Sequence, residues 1–576
     1  MSQLPLAVMA SDRSVYGLCT MKRNKLVRYK QRFIEEKKRM LEDTTRVVIL
    51  CLLSFLLYLS IPFAEVNAGA AGGKYTVIFD GNGASGRMKK QKVAVSGEKL
   101  RLPECSYSME GCSFKGWMTA PFLTKDSLCF APGETIDPAV IPGNGKKITV
   151  YACWKCDAPK DLYVDDGGSD DNDGSENRPF ASIEKAIEEA DPGSVIHVMP
   201  GVYDGGVYVE KSGLNTDPIT IVGEGRDEEG KPLAKLRYSG NDKEKFVLDF
   251  DGHSNFNIIN LDIGDVEGKY VCGIFIIQDC KNILISGNYI HDMKVADKYL
   301  VSPEENEKMA GEANAILCLG EGRKEKNAIE YITICDNEVC NNVTNWSESV
   351  SVAGNAQYVR VFSNVVHDNT NIGIDFNGNT GYCRNPKFDR PRKCEAYNNL
   401  VYNCHCDYAE CAGIYADGAS DISFHDNEVY GCDYGMEVGA EIKKKKYPVR
   451  NVVVSGNYIH ENRDGGLVIG GYEENSTGMV QDCVIENNLI KDNLSDGICI
   501  SRCRDTVFRN NHIMADPSVF IIKGEMSEKH TYGLTFEDNI YENGEEAQTL
   551  CFRWHEKDIT GILEFNLATG GSDKAG

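Results

Sequence analysis

The chain has 576 residues, 42% of them hydrophobic, which is enough for several domains or for one long repeat structure. Its formal net charge is −24, but residues 1–46 hold eleven Lys/Arg and five Asp/Glu, which leaves 51 basic and 81 acidic side chains on the rest. So acidic a body repels phosphate groups, and we therefore expect no nucleic-acid partner.

The basic head, residues 1–46, leads into an uncharged run at 47–64, "VVILCLLSFLLYLSIPFA". A run of about 18 residues is just long enough to span a bilayer, with the basic head in the cytoplasm. The small residues "VNA" at 66–68 suit signal-peptidase cleavage, so the segment 47–68 is either a signal peptide or a membrane anchor. Both alternatives predict export across the plasma membrane, to a secreted or cell-surface location. The membrane is a partner only if the segment is not cleaved.

Residues 75–154 begin "YTVIFDGNGASG", continue through "GCSFKGWMT" and close on "ITVYACW". Alternating strands, turn glycines and two tryptophans predict a small β domain. The segment resembles the Listeria–Bacteroides repeat, the β-grasp-like module of internalin-type surface proteins. That resemblance implies a spacer or adhesion module.

The next segment predicts a strand, a turn-rich acidic loop, an amphipathic helix at 182–190 opened by Ser182, and a second strand, "VIHVMPGVY". This order resembles the N-terminal cap of right-handed parallel β-helix proteins, the pectate-lyase-like superfamily. Five aspartates of the loop could bind calcium, or could form a solvated acidic turn; they are Asp165, Asp166, Asp170, Asp171 and Asp173.

From 255 to 545 the chain repeats the element Asn, any residue, apolar residue. The repeated asparagines are Asn288, Asn337, Asn364, Asn399, Asn427, Asn457, Asn488, Asn511 and Asn539. The intervals run from 23 to 35 residues, except one of 49 that we expect to span two turns. Each coil also carries a glycine followed by alternating apolar residues, as in "GIDF", "GIYA" and "GMEV".

This pattern predicts an all-β fold: a right-handed parallel β-helix over 160–550, whose stacked asparagines form a side-chain amide ladder, followed by a C-terminal tail at 551–576. We expect the protein to be a monomer.

The repeat also accounts for some of the 22 cysteines. Five residues beyond a ladder asparagine, Cys404 and Cys432 fall at one position on adjacent coils, where they form either a thiol pair or a disulfide. A zinc site built from Cys404, Cys406, Cys411 and His405 is a further alternative, although the spacing is irregular. We therefore predict no definite metal site and no definite cofactor.

Aligning the second strands on their glycines sorts the polar residues by face. The residue after each glycine points inward and the next points outward, which places Asp375, Asn377, Tyr415, Asp417 and Glu437 on one outer face, with Glu441 at a strand end. Neighbouring strands lie about 4.8 Å apart and alternate residues about 6.6 Å apart, so the backbones of Asp417 and Glu437 are about 8 Å apart.

Carboxyls at about 5–9.5 Å serve glycoside hydrolysis, and crowding raises a carboxyl pKa so that one group can act as general acid. We therefore predict Asp375, Asp417, Glu437 and Glu441 as catalytic, in a groove where they bury little surface. Asn377 and Tyr415 are predicted to bind substrate. The alternative is an exposed acidic stripe on an acidic protein.

Two insertions flank this face, at 380–394 and at 441–450, "EIKKKKYPVR". Basic residues of the first insertion are predicted to bind an anionic sugar such as a uronate, unless they are ordinary solvated side chains; they are Arg384, Lys387, Arg390 and Arg392.

The superfamily resemblance covers about residues 160–550 and implies a polysaccharide or glycan partner, because members include polysaccharide lyases and some glycoside hydrolases that act on an outer groove. A xylosidase-like family of this fold has a nucleophilic Asp where this chain has Gly439, a departure that counts against that particular mechanism. We predict a carbohydrate-active enzyme, a hydrolase rather than a lyase. The alternative is a non-catalytic adhesin or glycan-binding stalk.

Overall fold

The computed structural model describes residues 74–576, apart from 95–96, 123–126, 142–146, 303–307, 472–476, 525–526 and 544–549. The predicted cytoplasmic head and the predicted signal or anchor segment lie outside the described residues. Within the described part of the chain, no helix is long and apolar enough to cross a membrane.

The first described unit is a small β domain built around two buried tryptophans, Trp117 and Trp154, which both pack edge-on against Phe114. Its sheets, counted over the described residues, contain five and two strands. The strands are Gln91–Ala94, Lys74–Asp80, Lys147–Cys156, Cys112–Met118 and Cys129–Phe130 in the larger sheet, and Leu100–Arg101 and Thr135–Ile136 in the smaller. A 3-10 helix spans Pro138–Val140. The resemblance to the Listeria–Bacteroides repeat stays a prediction.

The rest of the described chain is a right-handed parallel β-helix, which confirms the predicted fold class. Three long sheets run along it, containing 13, 13 and 16 strands when only the described residues are counted. An apolar core of inward-facing Ile, Val, Leu and Phe side chains fills the space between the sheets. Stacking of similar coils buries each strand against its neighbours, so that no single coil needs a core of its own.

The first sheet contains Gly201–Asp204, Ala234–Arg237, Asp262–Gly268, Tyr289–Val295, Glu338–Cys340, Val365–His367, Leu400–Tyr402, Glu428–Tyr430, Tyr458–His460, Leu489–Asn493, His512–Ala515, Ile540–Glu542 and Lys574–Ala575. The second contains Val207–Tyr208, Glu244–Asp251, Tyr270–Ile277, Glu312–Gly320, Val350–Gly354, Ile374–Asn377, Ala412–Asp417, Tyr434–Gly439, Gly465–Ile469, Asp496–Ile500, Ile522–Gly524, Cys551–Trp554 and Lys557–Thr560. The third contains Asp161–Val164, Val195–Val198, Ile219–Gly223, Phe256–Ile259, Lys281–Ser286, Ile329–Cys335, Ala356–Gln357, Arg360–Phe362, Arg392–Tyr397, Ser420–His425, Val449–Ser455, Val480–Gln481, Val484–Glu486, Cys503–Arg504, Val507–Arg509 and Thr535–Glu537.

The asparagine ladder is present at all nine predicted positions. From Asn337 onward, the side-chain oxygen of each rung accepts the backbone N–H and the amide N–H of the rung before it, as Asn427 Oδ1 does from Asn399 at 3.0 Å for both. The first rung, Asn288, accepts the backbone N–H of Leu261. Along the whole ladder the backbone N to Oδ1 distance stays at 3.0 to 3.1 Å. Asp573, which the repeat pattern does not mark, accepts from Asn539 and closes the ladder.

Two predicted boundaries are wrong. The interval of 49 residues between Asn288 and Asn337 is one coil, because Tyr289 pairs directly with Glu338 on the next strand. Its extra length lies in connections between strands. The predicted C-terminal tail, 551–576, is part of the solenoid instead: it supplies the last strands and the helix Ile562–Thr569, whose Phe565 is fully buried.

At the other end, the predicted helix forms over Ile183–Glu189, and the Ser182 hydroxyl accepts the N–H of Lys185 as its N-cap. Ile183, Ala186 and Ile187 are buried against the first coil. This helix covers the open end of the apolar core. Two further 3-10 turns, Asp297–Tyr299 and Glu325–Asn327, lie in connections.

Candidate functional site

The outward positions of the second sheet are in the predicted register. Asp375 pairs with Tyr415, and Tyr415 pairs with Glu437. Two residues further along, Asn377 pairs with Asp417, and Asp417 pairs with Gly439. Because the side chains of one face alternate with the core residues, these polar groups form two adjacent columns across three coils.

These columns form the floor of a cavity of about 550 Å³, which we call the carboxylate cavity. Asp375, Asp417, Glu437 and Glu441 all line it, and so do Asn377 and Tyr415. The predicted residues of the second sheet are therefore brought together. The expectation that they bury little surface is wrong for two of them, because Asp375 is 1% exposed and Asp417 3% exposed.

Glu437 is held in its protonated form by its surroundings. Burial, with a smaller contribution from the charge of Glu441, raises the pKa of Glu437 to about 8, and a hydrogen bond with Tyr415 only partly offsets this. A Cβ at position 439 would lie 2.9 Å from Tyr415 Oη and 3.1 Å from Glu437 Oε1. Gly439 is therefore the residue that leaves room for this pair, which accounts for the absence of an Asp there.

Asp417 is the one buried carboxyl of the floor that accepts a backbone hydrogen bond, from the N–H of Glu441 at 2.9 Å. Burial and then the charge of Glu441 raise the pKa of Asp417, and that N–H opposes the shift. Glu441 as a whole is exposed at the cavity mouth, while burial of its carboxyl raises its pKa.

Asp375 lies deepest, and neither of its carboxyl oxygens has a hydrogen-bond partner among the described residues. Burial raises its pKa well above the ordinary value, and the charges of Glu348 and Asp417 add to that rise. A carboxyl buried without hydrogen bonds is far less costly as the neutral acid than as the anion. Burial therefore favours the neutral form of Asp375, although the Asn377 side chain opposes the rise in its pKa.

Sequence reasoning missed the residues that the connections contribute. Glu348 lines the cavity, and burial raises its pKa to about 7. Trp346 also lines the cavity, with 37% of its surface exposed, and its ring lies 5.0 Å from that of Tyr408. Both Trp346 and Glu348 belong to the segment "NWSES", which precedes a strand and carries no repeat signal.

The predicted basic residues do not line the carboxylate cavity. Arg390 and Arg392 are 5% and 8% exposed. Arg390 donates to Asn379 Oδ1 and to the Tyr447 carbonyl, both at 2.9 Å, and Arg392 donates to Asn355 Oδ1 at 2.9 Å. These bonds hold the insertion against the solenoid, and the binding of an anionic sugar by Arg390 and Arg392 stays a prediction. Arg384 and Lys387 are exposed elsewhere on that insertion.

The alternative metal sites do not form either. Cys404 and Cys432 are buried free thiols within a second ladder, where Cys432 N donates to Asn462 Oδ1 at 3.1 Å. Cys406 and Cys411 lie with their sulfurs 3.5 Å apart, so the four predicted zinc ligands do not converge.

Several of the loop aspartates predicted for calcium accept hydrogen bonds from the protein itself. Asp170 accepts from the N–H groups of Ala181 and Ser182, both at 2.9 Å, and Asp173 accepts from Ser175. Among the described residues, the loop brings no three ligand atoms to one point.

Two other groups of metal-ligand type occur in the described residues: Glu338 with Cys340 and His367, and Asp265 with His291 and Asp292.

Comparison with known proteins gives two partial family matches. Residues 387–563 match the family described as periplasmic copper-binding protein (NosD), and residues 166–393 match a family described as a protein of unknown function (DUF1565). Copper does not fit the two ligand groups above, because Lys231 pairs with Glu338 and Arg237 pairs with both Asp262 and Asp265 beside His291.

Among curated proteins, the chain is 28% identical to the uncharacterized protein YwoF of Bacillus subtilis (strain 168), over 71% of this chain and 85% of that protein. It is 26% identical to pectate lyase PEL9 of Emericella nidulans, over 22% of this chain and 33% of that protein.

Among solved structures, the GH136 lacto-N-biosidase of Eubacterium ramulus aligns with TM-score 0.45 and 15% identity, over 66% of this chain and 67% of that one. The A-module of mannuronan C-5 epimerase AlgE4 of Azotobacter vinelandii aligns with TM-score 0.40 and 15% identity, over 72% and 96%.

Proposed function

We propose that this protein is an exported glycoside hydrolase that cleaves a polysaccharide in the carboxylate cavity. The observation that carries the proposal is Glu437: a carboxyl with a pKa of about 8 lies one coil and one two-residue step from a second carboxyl, Asp417. Their backbones are about 8 Å apart and both side chains line the one cavity, an arrangement that brings two carboxyl groups to one bound sugar.

In this mechanism Glu437 is the general acid. It is protonated at neutral pH and gives its proton to the glycosidic oxygen as the bond breaks. Asp417 is the partner carboxyl. Burial raises its pKa as well, so it acts in its ionised form, which the N–H of Glu441 stabilises. It activates water or attacks the anomeric carbon, and the separation of the two carboxyl groups in the complex would decide between these roles.

The rim of the cavity suits a sugar. Trp346 is partly exposed beside Tyr408, and Tyr415 lies on the floor. Flat aromatic faces bind the apolar faces of pyranose rings while the hydroxyls reach polar groups such as Asn377.

Export is supported by the predicted segment at 47–68 and by the family description of the NosD match as periplasmic. Because one relative is named a pectate lyase, the assay has to distinguish β-elimination from hydrolysis.

The test is a product assay on a panel of pectins, xylans, alginates and host glycans. Hydrolysis yields reducing ends without ultraviolet absorbance, whereas elimination yields unsaturated uronates that absorb. Glu437→Gln and Asp417→Asn should each lower kcat by about 10²–10⁴-fold.

Asp249→Asn is the matched control. Asp249 lies in the same outward column of the second sheet, is 7% exposed and has its pKa raised to about 6 by burial, but does not line the cavity. It should leave kcat unchanged. Full activity of both cavity variants would refute the proposal, and binding without any product would favour the non-catalytic glycan-binding alternative.

A further inference from the structure

A second cavity, of about 630 Å³, lies beside the first and is strongly basic. Its lining includes residues 443–446, all lysines, with Arg450, Arg502, Arg504 and Lys529. None of the described residues that line it is an aspartate or glutamate. In a chain of net charge −24, such a concentration of positive charge is a local reversal of the surface potential.

The positive side chains are placed by the third sheet and by the connection that follows Glu441. Arg450 pairs with Gln481, and Gln481 pairs with Arg504, so the three lie side by side on adjacent strands. Arg504 Nε donates to Gln481 Oε1 at 3.1 Å, which fixes the position of its guanidinium. The arginine column is therefore part of the solenoid and not of a surface loop.

The basic surface continues beyond this cavity. A neighbouring cavity of about 290 Å³ shares Lys446, Pro448 and Arg450 with it and adds the exposed Lys387 and Lys393, beside two acidic residues, Glu325 and Asp421. Arg392 pairs with Ser420 and Ser420 with Arg450, so five adjacent strands run from Arg392 to Arg504, a distance of about 19 Å. We call the two joined cavities the basic track.

We propose that the basic track binds an extended anionic polysaccharide, a polyuronate, at a site separate from the carboxylate cavity. A track of about 19 Å is longer than a single small anion needs. Accessible cations lie along it from Lys393 through Arg450 to Arg504, which suits a polymer with regularly spaced carboxylates. A polyuronate is favoured over a single-stranded nucleic acid because the described residues that line the larger cavity include no Phe, Tyr or Trp on which bases could stack.

The track adjoins the carboxylate cavity without sharing its residues. Ser501 lines the cavity and Arg502 the track, and Glu441 lines the cavity while Lys443 lines the track. A bound polyuronate could therefore be held by the track whether or not the cavity cleaves it. Binding and turnover are separate measurements.

The experiment is binding of polygalacturonate to the full chain by calorimetry, in the Glu437→Gln background so that the polymer stays intact. The test variant is Lys444→Gln/Lys445→Gln/Lys446→Gln, which changes three exposed side chains. The matched control, Lys89→Gln/Lys90→Gln/Lys92→Gln, removes the same charge from exposed positions of the small β domain. We expect the test variant to weaken binding about tenfold and the control to leave it unchanged.

Fully methyl-esterified polygalacturonate, which has the same backbone without the charge, should bind neither variant nor the parent, and added salt should weaken binding of the charged polymer. Equal affinity of the two triple variants, or binding of the esterified polymer, would overturn the proposal. So would equally tight binding of a single-stranded oligonucleotide of the same charge, which would make the track a site for any polyanion.

Discussion

At the scale of single residues, carboxyls at equivalent strand positions of the cavity differ in their hydrogen-bond partners. Glu437 and Asp375 both point outward from the second sheet, yet Glu437 has a hydroxyl partner in Tyr415 whereas Asp375 has no described partner. Burial disfavours the anion of each. The function of each carboxyl is therefore set by its neighbours on adjacent coils and not by its own strand.

The pKa of Glu437 predicts a limit on activity at high pH. As a general acid it works only while protonated, so kcat/KM, which reports the pKa values of the free enzyme, should fall as the pH rises through about 8. Tyr415→Phe removes a hydrogen bond that lowers this pKa, so the fall should move to higher pH. A pH–rate profile of parent and variant measures both effects. A profile of the parent that stays flat well above pH 8 would contradict the assignment of Glu437 as the acid.

At the scale of structural elements, the asparagine ladder stabilises the turn between the first and third sheets. Asn427 is 2% exposed, accepts two hydrogen bonds from Asn399 and donates to the Ala396 carbonyl and to Asn457. Removing this side chain leaves buried donors and acceptors without partners on both sides of the rung.

We predict that Asn427→Ala lowers the free energy of unfolding by about 2–4 kcal/mol, since two or more buried groups lose partners at about 1–3 kcal/mol each. Asn241→Ala is the control, because Asn241 is exposed and its backbone is not in the left-handed region, where alanine would be strained. Denaturant unfolding of the two variants provides the comparison. Equal free energies of unfolding for the two variants would contradict a stabilising role of the asparagine ladder.

The elements also show how far sequence reasoning extends. The sequence alone aligns equivalent positions of neighbouring coils where a short spacing to a glycine or an apolar residue is repeated. This holds for Asn399 with Asn427 and for Tyr415 with Glu437. Trp346 and Glu348 could not be aligned in this way, because they lie in a connection whose path has no period. The sequence likewise shows that the lysines follow Glu441. It does not show which of the two cavities they line, because that depends on tertiary packing.

At the scale of the whole molecule, the buried acids make stability depend on pH. Burial raises the pKa of Glu437 to about 8 and that of Glu348 to about 7, against an ordinary value of 4.5. Between about pH 5 and 7 both are protonated in the folded chain and ionised in the unfolded chain. Unfolding then releases protons, so stability falls as the pH rises.

We expect the free energy of unfolding to be higher at pH 5 than at pH 8, with each such acid contributing about 1.4 kcal/mol per pH unit within its window. Glu437→Gln removes one of these acids, so its Tm should exceed that of the parent at pH 8 by more than at pH 5. Thermal unfolding at the two pH values tests this. A Tm difference between variant and parent that does not change with pH would show that Glu437 is ionised in the folded protein.

The hydrogen-bond distance between asparagine rungs is nearly the same in short and in long coils, which allows the connections to vary in evolution. The rungs keep their spacing whether 23 or 49 residues separate them, so the length of a connection is decoupled from the alignment of the strands. Trp346 and Glu348, which shape one wall of the cavity, belong to a connection, whereas Asp417 and Glu437 belong to strands. Exchange of a connection by recombination could therefore give the protein a new sugar preference while the reacting pair keeps its geometry.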